Sequence, residues 1–173
     1  INGKYVGFSK NSRNTANFNI TPYLQKGRNT VAAEVYRSSD ASFLEAQDMF
    51  RLPGIFRTVA LYSVPKVHFR DLVATPDLDA AYTDGVLTIN ADIRNLDKKA
   101  VKNYKVYYSL YANKLYSDEN TLVDAVLSPV IEKIEPNGTG RIQTVFHVKA
   151  PNKWSAEFPY RYTLVAELKD KKN

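Results

Sequence analysis

The sequence has 173 residues, 44% of them hydrophobic and 24% charged, and a net charge of +6, which is typical of a folded globular protein rather than a disordered one. Cysteine is absent and histidine occurs twice, which excludes a disulfide framework, a thiolate metal site and a histidine-rich metal site. No apolar run approaches the ~20 residues of a membrane-spanning helix, and no leader pattern follows Ile1. We therefore expect no membrane partner.

The positive charge is spread along the chain instead of being gathered in one element. No block of five or six like charges occurs, and the densest basic cluster is the terminal Lys169–Lys172 segment, which Asp170 interrupts. Proteins that follow a phosphate backbone usually concentrate lysine and arginine on one face. The sequence therefore predicts no nucleic-acid partner.

The first 64 residues combine short strand-like segments with turn signals. Asn2-Gly3 is a strong hairpin signal, because both turn positions favour positive φ. The spacing predicts strands over Lys4–Ser9, Phe18–Ile20, Thr30–Arg37 and Arg57–Val64, and a helical turn over Pro22–Lys26. The connection Ser38–Phe56 is long for a compact domain, and such loops are usually functional or packed as Ω-loops.

From residue 65 onward, apolar and polar residues alternate with a period of two, which is typical of half-buried antiparallel strands. The predicted strands are Lys66–Thr75, Val86–Arg94, Asn103–Leu110, Thr121–Ile134 with an interruption at Pro129, Ile142–Val148 and Tyr162–Leu168. Turn signals separate these segments, among them Pro136-Asn137-Gly138. Six short strands with polar turns predict an immunoglobulin-like antiparallel β-sandwich over residues 65–173.

Few residues carry a recognisable catalytic pattern. A glycosidase needs two carboxylates that face one bond, and the acidic candidates are Asp40, Glu45 and Asp48, all in the long connection. Their spacing does not require two of them to converge, so a polar loop with capping carboxylates is an alternative interpretation. His68 and His147 fall on strand patterns without a nucleophile motif. The sequence therefore predicts no catalytic residue in this chain.

Aromatic residues offer a second kind of sugar site, because their faces stack on sugar rings. Tyrosine occurs 12 times and tryptophan once, and most tyrosines fall on alternating strand positions where packing explains them. Trp154 lies in a proline-flanked loop. We expect it first to anchor that loop against the sandwich, and only second to stack on a ligand.

Three groups of sequence strings, in order along the chain, resemble glycoside hydrolase family 2, and in particular its β-galactosidases. The first group is Ile1–Ser9, Asn11–Arg13 and Phe18–Thr21; the second is Tyr36–Asp40 with Glu45–Arg57; the third is Trp154–Glu157 with Pro159 and Tyr162. The first resembles the end of the sugar-binding jelly-roll domain. The third resembles a signature near the end of the immunoglobulin-like domain.

The resemblance implies an all-β chain with two parts. Residues 1–64 would form the C-terminal part of a sugar-binding jelly-roll domain, and residues 65–173 an immunoglobulin-like β-sandwich that lacks its last strand. In this family a TIM barrel holds both catalytic glutamates, so the implied partners are that barrel in the same polypeptide and a galactoside. The resemblance implies no cofactor in this segment, and it implies sodium and magnesium as cofactors of the whole enzyme.

The resemblance also assigns a role to Asp40. In β-galactosidases of this type, an aspartate at the matching position contacts a substrate hydroxyl and a sodium ion, so Asp40 is the expected substrate-binding and metal-binding residue. Oxygen ligands suit such a hard cation. The sequence departs from the family pattern nearby: Ser38, Ala41, Phe43, Phe50 and Pro53 replace tryptophan, glycine, tyrosine, tryptophan and serine.

Two interpretations of function remain at this stage. The first is a non-catalytic segment of a β-galactosidase-like glycoside hydrolase, with a structural and substrate-positioning role. The alternative is a free-standing carbohydrate-binding or adhesin-type β module. In either case, incomplete sheets at both ends of the chain would leave strand edges open, so a homo-oligomer held chiefly through residues 1–64 is expected.

Overall fold

The computed structural model describes residues 1–11, 14–45, 53–113 and 120–170. The chain divides into two compact units, Ile1–Leu61 and Tyr62–Asn173. The described helical segments are a 3-10 turn at Thr21–Tyr23 and the four-residue helix α1, Ser42–Glu45. Neither helix has the length and apolar character needed to cross a membrane.

The second unit contains the seven strands of the described chain. Their bounds are β1 Val67–Leu78, β2 Gly85–Asn95, β3 Val101–Asn113, β4 Asn120–Leu127, β5 Ile131–Ile134, β6 Thr139–Val148 and β7 Arg161–Lys169. Every described pairing is antiparallel. The all-β prediction is confirmed, and each predicted strand beyond residue 65 corresponds to an observed one.

Two sheets form the sandwich. The first has three strands in the order β1-β2-β6, and the second has four strands around a central β3. β4 and β5 pair with successive parts of β3, while β7 pairs with β3 from Lys105 to Asn113. Pro129 lies in the break between β4 and β5, as its missing N–H predicts.

The core lies between the two sheets and is built from alternating residues of β2, β3, β5 and β6. Its buried members are Ile89, Ala91, Ile93, Val106, Tyr108, Leu110, Ile131, Ile134 and Phe146. Tyr108 and Phe146 meet edge to face across the sheets, with ring centroids 6.3 Å apart. This arrangement is the preferred geometry of aromatic pairs.

Asn95 is a buried polar side chain at the end of β2. Asn95 is 0% exposed, and its amide nitrogen donates to the backbone oxygens of Lys99, Ile134 and Glu135 at 2.9, 3.2 and 3.2 Å. Its side-chain oxygen accepts a 2.8 Å hydrogen bond from the Asp97 N–H. Asn95 therefore ties the end of β2 to the next turn and to the end of β5.

Ser128 bridges the break between β4 and β5. Its hydroxyl accepts a 2.8 Å hydrogen bond from the Val106 N–H and donates to the Pro129 oxygen at 2.8 Å. The Ser128 N–H donates to the Val106 oxygen at 2.8 Å. The side chain thus replaces ladder hydrogen bonds where a proline has interrupted the strand.

The first unit differs from its prediction. The turn at Asn2-Gly3 is present, with φ of 52° and 75° and a 2.9 Å hydrogen bond from Lys4 N–H to Ile1 oxygen. A helical turn is also present, but it spans Thr21–Tyr23 instead of the predicted Pro22–Lys26 and begins after Ile20. The predicted strands Lys4–Ser9, Phe18–Ile20, Thr30–Arg37 and Arg57–Val64 are not observed, because the described residues there form no ladder with a neighbouring segment. Alternation alone does not make a strand without a pairing partner.

The interpretation of Trp154 as a loop anchor is also wrong. Its side chain is 66% exposed, so it does not pack the loop against the sandwich. The loop is held instead by a 2.8 Å hydrogen bond from the Asn152 N–H to the Tyr162 hydroxyl and a 3.0 Å bond from Ser155 N–H to Phe158 oxygen. Polar contacts replace the expected apolar one.

Candidate functional site

Asp40 lies at the start of the helical turn that leads into α1. Its Oδ1 accepts a 3.0 Å hydrogen bond from the Ala41 N–H, and its backbone oxygen accepts one from Phe43 at 3.4 Å. The Ser42 hydroxyl accepts a 3.0 Å bond from the Ser39 N–H. These bonds hold the turn, because aspartate and serine oxygens satisfy N–H groups that have no partner inside so short a helix.

Lys10 is the residue that faces Asp40. Its Nζ lies 2.6 Å from Asp40 Oδ2, with the two side chains 52% and 71% exposed. The hydrogen bond from this ammonium is the largest influence on the carboxyl and lowers the pKa of Asp40; desolvation opposes the shift, and Coulomb attraction to Lys10 adds to it. Asp40 is therefore held ionised and ready to accept hydrogen bonds, although both of its oxygens already have partners.

Of the other two acidic candidates, Glu45 is among the described residues. Glu45 ends α1 and is half-buried, with its N–H donating to the Ala41 oxygen at 3.0 Å. Asp48 lies outside the described residues, as does Phe50.

The described residues around Asp40 fit a sodium ion poorly. In the part of the chain that the structure describes, no three acidic, histidine or cysteine side chains come together to hold a metal. Hard cations take several oxygen ligands, whereas Asp40 offers one carboxylate with the Lys10 ammonium against Oδ2. An ammonium at that position competes with a cation for the same oxygen.

The two histidines are strand residues, as predicted. His68 lies on β1, where Nδ1 is 2.9 Å from the Pro65 oxygen, and His147 is exposed on β6. His68 is therefore a half-buried strand residue and His147 an exposed one.

Family models match both halves of the chain. The model described as "Glycosyl hydrolases family 2, sugar binding domain" matches residues 1–65, and the model "Glycosyl hydrolases family 2" matches residues 67–173. The second alone covers more than half of the sequence. The chain belongs to glycosyl hydrolase family 2.

Curated relatives of this family 2 chain are β-galactosidases. One from Priestia megaterium (strain DSM 319 / IMG 1521) is 43% identical over 170 residues, and one from Vibrio vulnificus (strain CMCP6) is 40% identical over 172 residues. Each alignment covers 98% of this chain and 16% of the relative. The chain therefore spans about one sixth of the length of these relatives.

A solved structure supports the same fold at lower sequence similarity. A β-glucuronidase from Bacteroides uniformis matches with a TM-score of 0.53 and 18% identity, over 63% of this chain and 13% of that one. At this identity the likeness shows the fold alone. The predicted membership of family 2, with an antiparallel sandwich, is confirmed by the models and the relatives together.

The role of Asp40 stays a prediction, and the sequence pattern did not predict its contact with Lys10 or the buried position of Asn95. Lys10 is 30 positions from Asp40, and no spacing rule connects two such distant residues. Asn95 could have been found, because it continues the inward phase of Ile89, Ala91 and Ile93 with a polar side chain. A polar residue in a buried phase is a signal for a hydrogen-bonding role.

Proposed function

We propose that this chain is a non-catalytic segment of a β-galactosidase-like glycoside hydrolase, in which it supports the catalytic domain and positions substrate. The observation that carries the proposal is the similarity of 98% of the chain to β-galactosidases that are about six times longer. In this proposal, residues 1–64 are the C-terminal part of the sugar-binding domain and residues 65–173 the sandwich domain. The partners are a galactoside and a TIM-barrel catalytic domain in the same polypeptide.

Asp40 is the residue we propose for substrate positioning. It lies at the entrance to a short helical turn, is exposed, and has a lowered pKa. A carboxylate that stays ionised accepts hydrogen bonds from sugar hydroxyls, and charge-assisted bonds are stronger than neutral ones. In the absence of substrate, the ion pair with Lys10 keeps the Asp40 carboxylate oriented. A substrate hydroxyl would then displace Lys10 from Oδ2. No step of this proposal depends on a sodium ion.

A chimeric enzyme tests the proposal. The matching sixth of the Priestia megaterium β-galactosidase is replaced by this chain, and hydrolysis of a nitrophenyl β-galactoside is measured for the chimera and for the chain alone. We expect turnover by the chimera and none by the chain. Turnover by the chain alone, abolished by Asp40→Ala or Glu45→Ala, would contradict a non-catalytic role.

The positioning role of Asp40 is tested in the same chimera. We expect Asp40→Asn to lower kcat/KM on the order of 10²-fold, because a hydrogen-bonded charge near the reacting sugar is lost. Asp77→Asn, on β1, is the control and leaves kcat/KM unchanged. If Asp40→Asn leaves kcat/KM unchanged and lowers the melting temperature instead, Asp40 is a loop cap. Sugar binding by the chain without the rest of the enzyme would favour the free-standing carbohydrate-binding module.

A further inference from the structure

Asparagine followed by glycine occurs at two places in the chain, Asn2-Gly3 and Asn137-Gly138. Such a pair is reactive, because glycine has no Cβ to hinder the approach of its backbone nitrogen to the asparagine carboxamide. The approach also requires that the carboxamide be free to turn. The hydrogen bonds of the two asparagine side chains therefore decide which pair reacts in the folded chain.

The carboxamide of Asn2 is held at both of its polar atoms. Its Oδ1 accepts a 2.9 Å hydrogen bond from the Thr30 N–H. Its Nδ2 donates to the Tyr23 oxygen at 3.0 Å and to Asn29 Oδ1 at 2.8 Å. Turning the carboxamide towards the Gly3 nitrogen breaks these three hydrogen bonds, each of which stabilises the folded chain. The structure therefore protects Asn2.

Asn137 lies in the turn between β5 and β6 and is exposed. The Gly138 N–H donates to the Glu135 oxygen at 2.9 Å, which places Pro136 and Asn137 at the two central positions of a β-turn. Proline at the first central position and a φ of 54° at the second are the pattern of a type II turn. In the part of the chain that the structure describes, no group forms a hydrogen bond with the Asn137 carboxamide.

The turn requires both residues of this reactive pair. A Cβ on Gly138 would lie 2.9 Å from the Glu135 oxygen and 3.3 Å from the Glu135 nitrogen, so a side chain there would displace the backbone. The positive φ of Asn137 favours asparagine among the residues that carry a side chain. The tight connection between β5 and β6 thus keeps an asparagine–glycine pair at an exposed position.

We propose that Asn137 is a site of spontaneous deamidation and isoaspartate formation. The Gly138 nitrogen attacks Cγ of Asn137, the Cγ–Nδ2 bond breaks, and ammonia leaves with the proton of the Gly138 N–H. Water then opens the succinimide ring that has formed. Breaking the ring bond from nitrogen to Cγ gives aspartate, and breaking the bond from nitrogen to the main-chain carbonyl carbon gives isoaspartate. Nothing is oxidised or reduced, and a neutral amide becomes a carboxylate.

Isoaspartate loosens the end of the sandwich, because its backbone runs through Cβ and Cγ and so gains one carbon atom before Gly138. The Gly138 oxygen accepts a 3.0 Å hydrogen bond from the Asn95 N–H. The Glu135 oxygen accepts from the Gly138 N–H at 2.9 Å and from Asn95 Nδ2 at 3.2 Å. The extra carbon moves Gly138 away from both partners, whereas aspartate keeps the original backbone.

Timed incubation of the folded full chain at mildly alkaline pH tests the proposal. Peptide mapping by mass spectrometry follows the loss of the amide at Asn137 and at Asn2, and an isoaspartyl methyltransferase labels the isoaspartyl product. We expect Asn137 to react about tenfold faster than Asn2 or more, because Asn2 must first lose three hydrogen bonds and Asn137 only that of the Gly138 N–H. In guanidinium chloride both pairs should react at similar rates.

Asn29→Ala is the matched variant, because it removes one of the three hydrogen bonds that hold the Asn2 carboxamide. We expect it to raise the deamidation rate at Asn2 several-fold and to leave the rate at Asn137 unchanged. A folded chain in which Asn2 reacts as fast as Asn137 overturns the proposal. So does a folded chain in which Asn137 keeps its amide while the unfolded chain loses it.

The structural consequence has a separate test. Asn137→Asp supplies the charge of the product without the extra backbone carbon, and we expect it to melt at the temperature of the original chain. The purified isoaspartyl fraction of the incubated chain should melt at a lower temperature. Equal melting temperatures for this fraction and for Asn137→Asp would overturn the loosening of the sandwich by isoaspartate.

Discussion

The two units of this family 2 chain have comparable strand-like sequence patterns and very different burial. Described residues of Ile1–Leu61 include no buried side chain, and large apolar residues such as Tyr5, Phe8 and Phe43 are 74%, 71% and 87% exposed. Every buried core residue belongs to Tyr62–Asn173. Alternation marks a face of a strand that can be buried, whereas the fold also needs a second surface that buries this face.

The largest expected effect comes from matched phenylalanines in the two units. Phe146→Ala removes a core ring that contacts Tyr108, and we expect a loss of about 3–5 kcal/mol in the free energy of unfolding. Phe43→Ala, at an 87% exposed position, should change it by less than about 0.5 kcal/mol. Urea unfolding followed by circular dichroism measures both. Similar losses for the two variants would show that the first unit depends on buried apolar side chains as much as the second.

Two asparagines on β2, the buried Asn95 and the exposed Asn90, test how much the second unit depends on a buried polar side chain. Asn95→Ala removes the hydrogen bonds of this side chain to the Lys99, Ile134 and Glu135 oxygens and to the Asp97 N–H, and of the three oxygens that of Glu135 keeps a 2.9 Å hydrogen bond from the Gly138 N–H. We expect the free energy of unfolding to fall by about 2–4 kcal/mol, because buried unpaired groups carry their full desolvation cost. Asn90→Ala, an exposed position on the same strand bonded to Gln143, is the control and should have little effect. An equally mild Asn95→Ala would show that the core does not depend on this side chain.

The strands of the second unit were predictable because each has a partner within the chain. The period of two located β2, β3, β6 and β7 to within a few residues, and Pro129 located the break between β4 and β5. The first unit was not predictable in this way, since residues Thr30–Arg37 have the same alternation but no described ladder. The role of Asp40 was predicted from the family resemblance and stays a prediction, while its contact with Lys10 could not be predicted because the two residues lie 30 positions apart in the sequence.

A smaller effect is expected from two buried hydroxyls inside the sandwich. Among the described residues, Tyr108 Oη and Thr144 Oγ1 are buried without a hydrogen-bond partner, and burial raises the pKa of the Tyr108 phenol, with the nearby Thr144 hydroxyl opposing the shift. Replacing both with apolar groups, Tyr108→Phe with Thr144→Val, should be neutral or stabilising by about 1 kcal/mol. Calorimetric melting measures this. A marked destabilisation would reveal a hydrogen-bonded bridge between the hydroxyls.

The smallest effect concerns two exposed carboxylates, one in each unit. Lys10 is the main cause of the lowered Asp40 pKa, whereas the Lys98 N–H is the main cause of the lowered Asp97 pKa, with Lys66 secondary. Lys10→Met should therefore raise the Asp40 pKa more than Lys66→Met raises that of Asp97. Carbon-detected NMR titration measures both, and equal shifts would contradict the assignment.

The sign of the accompanying pH effect follows from linkage. Because the folded pKa of Asp40 is lowered, its contribution to stability is present above the unfolded pKa and is lost as the pH falls through the folded value. Both side chains are largely exposed, so solvent screens the pair and the change in melting temperature between neutral and acidic pH should be small. Lys10→Met removes that small change.

Hydrogen exchange of the whole chain compares the protection of the two units in one sample. We expect the slowest amides in β2, β3 and β6, where the ladder and core coincide, and fast exchange at residues 30–45 and 53–61, where the described backbone lacks a ladder. The Thr30 N–H, bonded to Asn2 Oδ1 at 2.9 Å, should be a local exception. Slow exchange throughout residues 30–45 and 53–61, equal to that of β2, would show that burial and pairing do not separate the two units.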